Sequence, residues 1–230
     1  ISIHFNIDTY NIMTDMTDLL KRSNAMDNLT REMKTQLYNN YFTELEELLE
    51  DYHNEETKIS VGNRIGLSQD GSRLKSLVLG VRGSAFANKR KDKTLNPHLT
   101  KHTHTAIGHR IYELCYTIIS MVYPAFEFNS IIINFNSTFT MHKDKKNLHD
   151  DSVIFSLGQH EGGGLELYND NKELIDTKYI WKTPTKFAGK KIYHATEDFG
   201  FGDRWAIVAY QIKTPYHYDP YEKELISLKN

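Results

Sequence analysis

The chain has 230 residues, 28 Lys+Arg against 30 Asp+Glu and a formal net charge of −2, so bulk charge does not make it a nucleic-acid coat, and any basic surface must be local. Its one cysteine, Cys115, excludes an intrachain disulfide framework and a cysteine-only metal site, and suits a reducing compartment. The 39% hydrophobic content supports a real core, while the longest apolar runs fall far short of the roughly 18–20 residues that span a bilayer. With no signal-peptide pattern visible, a soluble intracellular protein with no membrane partner is expected.

In chain order, the first quarter has helical texture. Leu29, Met33, Leu37, Phe42, Leu45 and Leu49 recur near helical spacing between residues 28 and 52, with Glu and Lys on the other face. Asn28 is the candidate N-cap, with Arg31 and Glu32 in the first turn. A shorter helical segment, Asp15 to Arg22, precedes it, so residues 1–56 are expected to be a helical scaffold packed on the rest, with no chemistry of its own.

From residue 57 the texture changes. KISVGNRIGLS and SLVLGVRGS are short, β-branched runs punctuated by Gly, as strands are. A polar, basic stretch follows, in which Lys89, Arg90, Lys91, Lys93, Lys101 and Arg110 face a single acid, Asp92. Ile107, Ile111, Leu114, Ile118, Met121 and Val122 then predict a buried helix ending before Pro124, with Cys115 as packing. Beyond Pro124 the pattern is almost all strand: NSIIINFNSTFTMH, SVIFSLG, GLELYND, TKFAGKKIYH and DRWAIVAYQIK. The predicted class is α+β: one continuous core over 57–230, a double-stranded β-helix or jelly roll, with helices in front.

Eleven His residues invite a metal. A His followed two places on by Asp or Glu occurs at His53/Glu55, His142/Asp144, His149/Asp151 and His217/Asp219, and about one such pair is expected by chance at this composition. The pattern alone decides nothing, and a solvated side chain is the ordinary explanation of each. Context favours His142/Asp144. It follows the alternating run Ile131, Ile133, Phe135, and on a strand residues two apart point the same way. His53/Glu55 falls in the polar end of a helix, where that spacing shares no face. His149/Asp151 lies in the polar loop after the candidate strand, and His217/Asp219 in a Pro/Tyr-rich tail. A third ligand must come from elsewhere, and His194 is a candidate. Two His and one carboxylate with open positions left over form the facial triad of non-haem Fe(II) oxygenases. Arg204, opening an apolar strand ten residues later, would suit a bidentate clamp on a dicarboxylate. Gly162-Gly163-Gly164 lacks the Lys-Ser/Thr of a phosphate loop, and is expected to be a turn at the barrel mouth. Trp205 and Tyr210 are expected in the core.

The stretch Phe128–Tyr210, through FNSIIINFN, MHKDKKN, SVIFSLGQHEGGGLELY, KFAGKKIYHAT and FGFGDRWAIVAY, resembles the 2-oxoglutarate- and Fe(II)-dependent dioxygenases. Within that superfamily it looks most like the TET/JBP-type base oxygenases and their viral and algal relatives. The resemblance implies His142, Asp144 and His194 as iron ligands and Arg204 on the distal carboxylate of 2-oxoglutarate, with O₂ as the other cosubstrate. It implies a host-cell cytoplasm or nucleus, with viral or phage origin included. Two departures stand out. The family's Arg-x-Ser is here Arg204-Trp205-Ala206, and a Tyr of the first core strand is absent from Asn134-Phe135-Asn136. Asn134, Asn136 or Ser156 is therefore expected to complete the cosubstrate pocket.

The basic stretch points outward. Arg82, Lys89, Arg90, Lys91, Lys93 and Lys101 could track phosphates beside a flipped base. The expected function is hydroxylation of a nucleic-acid base, a 5-methylpyrimidine such as 5-methylcytosine or thymine. The alternatives are a protein or small-molecule hydroxylase of the same chemistry and, more remotely, a non-catalytic β-sandwich binding module.

Overall fold

A computed structural model describes residues 31–55, 60–61, 67–69, 75–83, 96–200 and 202–227. The chain divides into two compact units, Ile1–Tyr41 and Phe42–Asn230. Residues 31–41 of the first are helical, the opening turns of α1 (Arg31–Glu55). The expected N-cap Asn28, the segment 15–22, much of KISVGNRIGLS, and Lys89, Arg90, Lys91 and Lys93 lie outside the described residues.

In the second unit, β1 (Ser60–Val61), β2 (Lys75–Gly80), β3 (Ser130–Phe135), β4 (Ser152–Leu157), β7 (Thr185–Phe187) and β9 (Trp205–Tyr210) make an antiparallel sheet in the order β1-β2-β3-β9-β4-β7. A smaller sheet runs β6 (Leu174–Lys178), β5 (Leu165–Tyr168), β8 (Tyr193–Thr196). It continues through His142, which pairs with His194. The chain path explains these orders. After β3 it crosses to the small sheet at 139–142, returns for β4, and crosses again for the β5–β6 hairpin. It then winds back, β7 to the large sheet, β8 to the small and β9 to the large. The returning strands slot between the outgoing ones: β9 lies between β3 and β4, and β8 between residue 142 and β5. That is a double-stranded β-helix, the expected class.

Strands β3 and β4 are buried on both faces along their whole length, which is why they read as unbroken apolar runs rather than alternating ones. The outer face of the large sheet is covered by residues 42–55 of α1. Phe42 meets Phe155 edge-on at 5.8 Å, and His53 lies 4.3 Å from Phe135 and 5.6 Å from Trp205. The inner face presents Ile154 and Val208 to Leu165, Leu167, Ile180 and Phe187, which form the core between the sheets. Helix α2 (Ala106–Val122) starts on the Thr105 side chain, which accepts from the Gly108 N–H, and stops before Pro124 as the spacing predicts. Cys115 is buried in it, and burial raises its thiol pKa, so packing is its role. Arg110 is held bidentately by Glu44 of α1, at 2.7 and 2.9 Å, and by Glu113. It ties the two helices together within this unit and does not extend a basic surface.

Three expectations need correcting. The run into MHKD is not one strand: Asn136 sits at φ 42°, turning the chain out of β3 before it rejoins the other sheet. TKFAGKKIYH is two strands in opposite sheets, because the Lys191 and Ile192 amides both donate to Ala188 O and reverse the chain. The Pro/Tyr-rich tail holds a hairpin, β10 (Tyr216–Asp219) with β11 (Glu224–Ser227). No helix among the described residues is long and apolar enough to cross a membrane.

Candidate active site

The double-stranded path brings His142 and His194 side by side. Their backbones exchange both N–H···O bonds, at 2.9 Å each, and their rings lie 4.3 Å apart. Asp144 returns to the same side two residues after His142. The intervening Lys143 points elsewhere, to Asp170 at 3.0 Å and the face of Tyr193. Asp144 Oδ1 is 3.6 Å from His142 Nε2, and Oδ2 is 3.8 Å from His194 Nε2. One donor atom from each residue lies within 4.8 Å of the others, the one group of three His, Cys, Asp or Glu so placed among the described residues.

The backbone sets which nitrogen is offered. His142 Nδ1–H donates to Thr140 O at 2.7 Å, and His194 Nδ1–H donates to Ile192 O at 3.1 Å. A carbonyl can only accept, so each Nδ1 carries a proton, and in the neutral imidazole that leaves the Nε2 lone pair on the side of Asp144. This is the tautomer a metal ligand needs. Burial, then the neighbouring His142, holds His194 below the ordinary imidazole range against the pull of Asp144, so the neutral, ligating form prevails at neutral pH. Glycine at 189 lets the chain approach the carboxylate: a Cβ there would lie 3.2 Å from Asp144 Oδ2, and Gly189 O accepts the Asp144 N–H at 2.9 Å. Two imidazoles and one carboxylate converging on a point, with no fourth His, Cys, Asp or Glu in the group among the described residues, fit a divalent ion such as Fe(II).

Arg204, which leads into β9, is 1% exposed. Its Nη2 donates to Gly163 O at 2.6 Å and the Phe199 ring lies 5.3 Å from the guanidinium, but Nε and Nη1 are buried without a partner. Burial pushes its pKa down to about 10, with Glu197 opposing, so it stays a cation at neutral pH. A buried, half-satisfied cation costs several kcal/mol unless an anion completes it. A carboxylate is an anion that can accept from such donors. Gly163, at φ +72°, is where the loop presses on this side chain: a Cβ there would lie 2.5 Å from Arg204 Nε.

The three expected pocket residues fall close by. Asn136 clasps the main chain of Arg204: its Oδ1 accepts the Arg204 N–H at 2.7 Å, its Nδ2 donates to Asp203 at 2.8 Å, and its own N–H donates to Arg204 O. Asn134 and Ser156 flank Ala206 in register across β3, β9 and β4. Asn134 Oδ1 accepts from Ser76 Oγ at 2.7 Å, whereas Ser156 Oγ is buried without a partner and lines a cavity of about 500 Å³. A hydroxyl thus stands on the strand beside Ala206. Asn136→Ala should lower stability by about 1–3 kcal/mol in urea titrations, because it orphans a buried donor and puts a Cβ residue at positive φ without asparagine's tolerance. Asn136→Gly should recover the backbone part and leave the hydrogen-bond loss.

None of the other His pairs gathers a third ligand among the described residues. His53 packs on Phe135 and Trp205; Asp151 pairs with Lys186 at 3.6 Å; His217 lies opposite Ile226 in the hairpin, where Asp219 accepts the Tyr221 and Glu222 amides. Of the basic residues, Arg82 is half-buried, its N–H donating to His98 O, and Lys101 is exposed. The periodicity gave no sign of two residues that line the cavity, Tyr179 and Trp181.

No family model matches the chain, and no curated protein matches it. Solved structures do. A Pseudomonas putida prolyl-4-hydroxylase is similar at 10% identity and a TM-score of 0.43, over 76% of this chain and 88% of its own. NgTET1, in complex with 5mC DNA, is similar at 14% and 0.44, over 80% and 69%. OsALKBH1 is similar at 15% and 0.36, over 60% and 78%.

Proposed function

We propose that this chain is an Fe(II)- and 2-oxoglutarate-dependent dioxygenase, an oxidoreductase that hydroxylates a nucleic-acid base, specifically a 5-methylpyrimidine (5-methylcytosine or thymine). The observation that carries the chemistry is the pairing of two features. One is a His-Asp-His face with both Nε2 lone pairs turned inward, and the other is a buried Arg204 with donors to spare. His142, Asp144 and His194 would hold the iron. When bound, iron and 2-oxoglutarate supply O₂ activation, with 2-oxoglutarate leaving as succinate and CO₂ and one oxygen atom entering a substrate C–H bond.

The protein's own part is to bind, orient and exclude water. Arg204 takes the distal carboxylate of 2-oxoglutarate in a charge-assisted contact. The Ser156 hydroxyl donates to the same group in place of the missing Ser at 206, and Asn136 fixes the main chain from which Arg204 reaches. Asn134, bonded to Ser76, holds the next strand of that row. The apolar layer of Ile154, Leu165, Leu167 and Phe187 keeps the space between the sheets dry. Arg82 and Lys101, with Lys89, Arg90, Lys91 and Lys93, would contact the nucleic-acid backbone.

The test is incubation with Fe(II), 2-oxoglutarate, ascorbate and methylated DNA or RNA, followed by mass spectrometry of the nucleosides. A 5-methylpyrimidine that gains one oxygen supports the reading. Succinate without any oxidised base points to a protein or small-molecule hydroxylase, and no succinate at all points to a non-catalytic module.

A further inference from the structure

Trp181 is 39% exposed, yet its ring is held at one edge and on one face. Its Nε1–H donates to Gly158 O at 2.8 Å, and the Lys182 ammonium sits 5.1 Å from its ring centroid. Lys182 is fixed by Glu46 at 2.6 Å, and the other oxygen of Glu46 accepts the Gly158 N–H at 2.8 Å, closing the circuit. A large ring kept rigid while open to water is not explained by core packing. Its one donor is already used, so what it offers a ligand is a π face. Tyr179, two residues earlier and 69% exposed, borders the same cavity of about 500 Å³ at its exposed end, away from the fully buried Ser156 that the proposed function leaves to the cosubstrate.

Apart from the hydroxyls of Ser156, Thr177 and Tyr179, the polar side chains around that cavity are acceptors or donors already in use. Glu161 and Glu197 line it, and Glu197 uses one oxygen on the Gly164 N–H. His160 bonds Gly162 O through Nδ1, so in the neutral ring, which burial and then Arg204 favour, its buried, unpartnered Nε2 is a lone pair rather than a donor. An acceptor-rich cavity under an aromatic platform selects a planar ring that donates N–H, and carboxylates are the groups that accept from the exocyclic amine of cytosine. The nearby lysines are committed, Lys182 to Glu46 and Lys178 to Asp176, so phosphate contact adds little here.

We infer that Trp181 and Tyr179 form a stacking platform for an unstacked, amino-bearing nucleobase of a single strand, which the cavity reads through Glu161, Glu197 and His160. The inference takes its ligand class from the base-dioxygenase reading, but its test uses neither iron nor cosubstrate. The chain has two tryptophans, and Trp205 is buried, so quenching by a stacked base reports Trp181. Oligo(dC), oligo(dT) and an abasic strand of equal length are titrated against intrinsic fluorescence, alongside a proline-rich peptide. Expected is saturable quenching by oligo(dC), weaker binding of oligo(dT), and none by the abasic strand or the peptide. Measured by anisotropy of labelled oligo(dC), Trp181→Ala should bind roughly tenfold more weakly or worse, and Trp181→Phe should restore most of the affinity. Equal binding of the abasic strand, preference for oligo(dT) or for the peptide, or unchanged affinity in Trp181→Ala would overturn it. Wild-type protein that makes succinate but binds no base loses this inference and keeps the dioxygenase chemistry; protein that binds oligo(dC) but makes no succinate does the reverse.

Discussion

Replacing His142, Asp144 or His194 with Ala is expected to abolish Fe(II)-dependent turnover and to weaken metal binding by more than about 100-fold. Losing only the groups that orient ligands already costs about 10–100-fold, and each of these residues supplies one of three donor atoms within 4.8 Å of one another. Calorimetry with Mn(II) as a redox-silent probe measures the affinity, and circular dichroism checks that each variant folds. His149→Ala, Asp151→Ala and His217→Ala should bind metal as the wild type does, since those residues lie in an exposed loop and a separate hairpin. Metal binding should also weaken as pH falls. His194 must be neutral to ligate, and protons compete for the same Nε2 lone pair. Metal affinity that is indifferent to His142 and lost with His149 would place the site elsewhere.

The second large effect is expected at Arg204. Arg204→Ala removes a buried, charge-assisted clamp of the kind worth about 1.5–3 kcal/mol, which should raise the apparent KM for 2-oxoglutarate by roughly 10- to 150-fold. Arg204→Lys keeps the charge but not the planar fork, so it should recover only part. Arg204→Met separates binding from folding. Without its anion the guanidinium leaves Nε and Nη1 unsatisfied, and replacing a poorly paired buried charge by an apolar side chain is often neutral or stabilising. Its Tm without cosubstrate should therefore match or exceed the wild type, while the Tm gain on adding 2-oxoglutarate disappears. A merely structural Arg204 would instead lower Tm and leave that gain intact.

Parts of this architecture were legible because burial leaves a simple mark. The doubly buried β3 and β4 are continuous apolar runs, and α2 repeats its apolar residues at helical spacing up to Pro124. His142 and Asp144 could be paired from alternation alone, although the stretch that carries them belongs to the other sheet from β3. What joins His194 to them is a backbone pairing across 52 residues, and no local period encodes a partner that distant; the family resemblance supplied it. β6 escaped notice because it is exposed along its whole length and carries no apolar alternation. The β7–β8 break was hidden because Ala-Gly-Lys-Lys reads as a polar strand segment until the turn hydrogen bonds to Ala188 are seen. Arg110 looked like part of a basic run, and its bidentate pairing with Glu44 is a tertiary fact.

The central claim, that this chain couples 2-oxoglutarate to iron through His142, Asp144 and His194, is tested most directly by following succinate production by NMR in wild type and in Asp144→Ala. The account predicts succinate from the wild type only when Fe(II), O₂ and 2-oxoglutarate are all present, and none from Asp144→Ala under the same conditions. Succinate from Asp144→Ala at the wild-type rate, or no succinate from folded, iron-loaded wild type with methylated nucleic acid present, would contradict it.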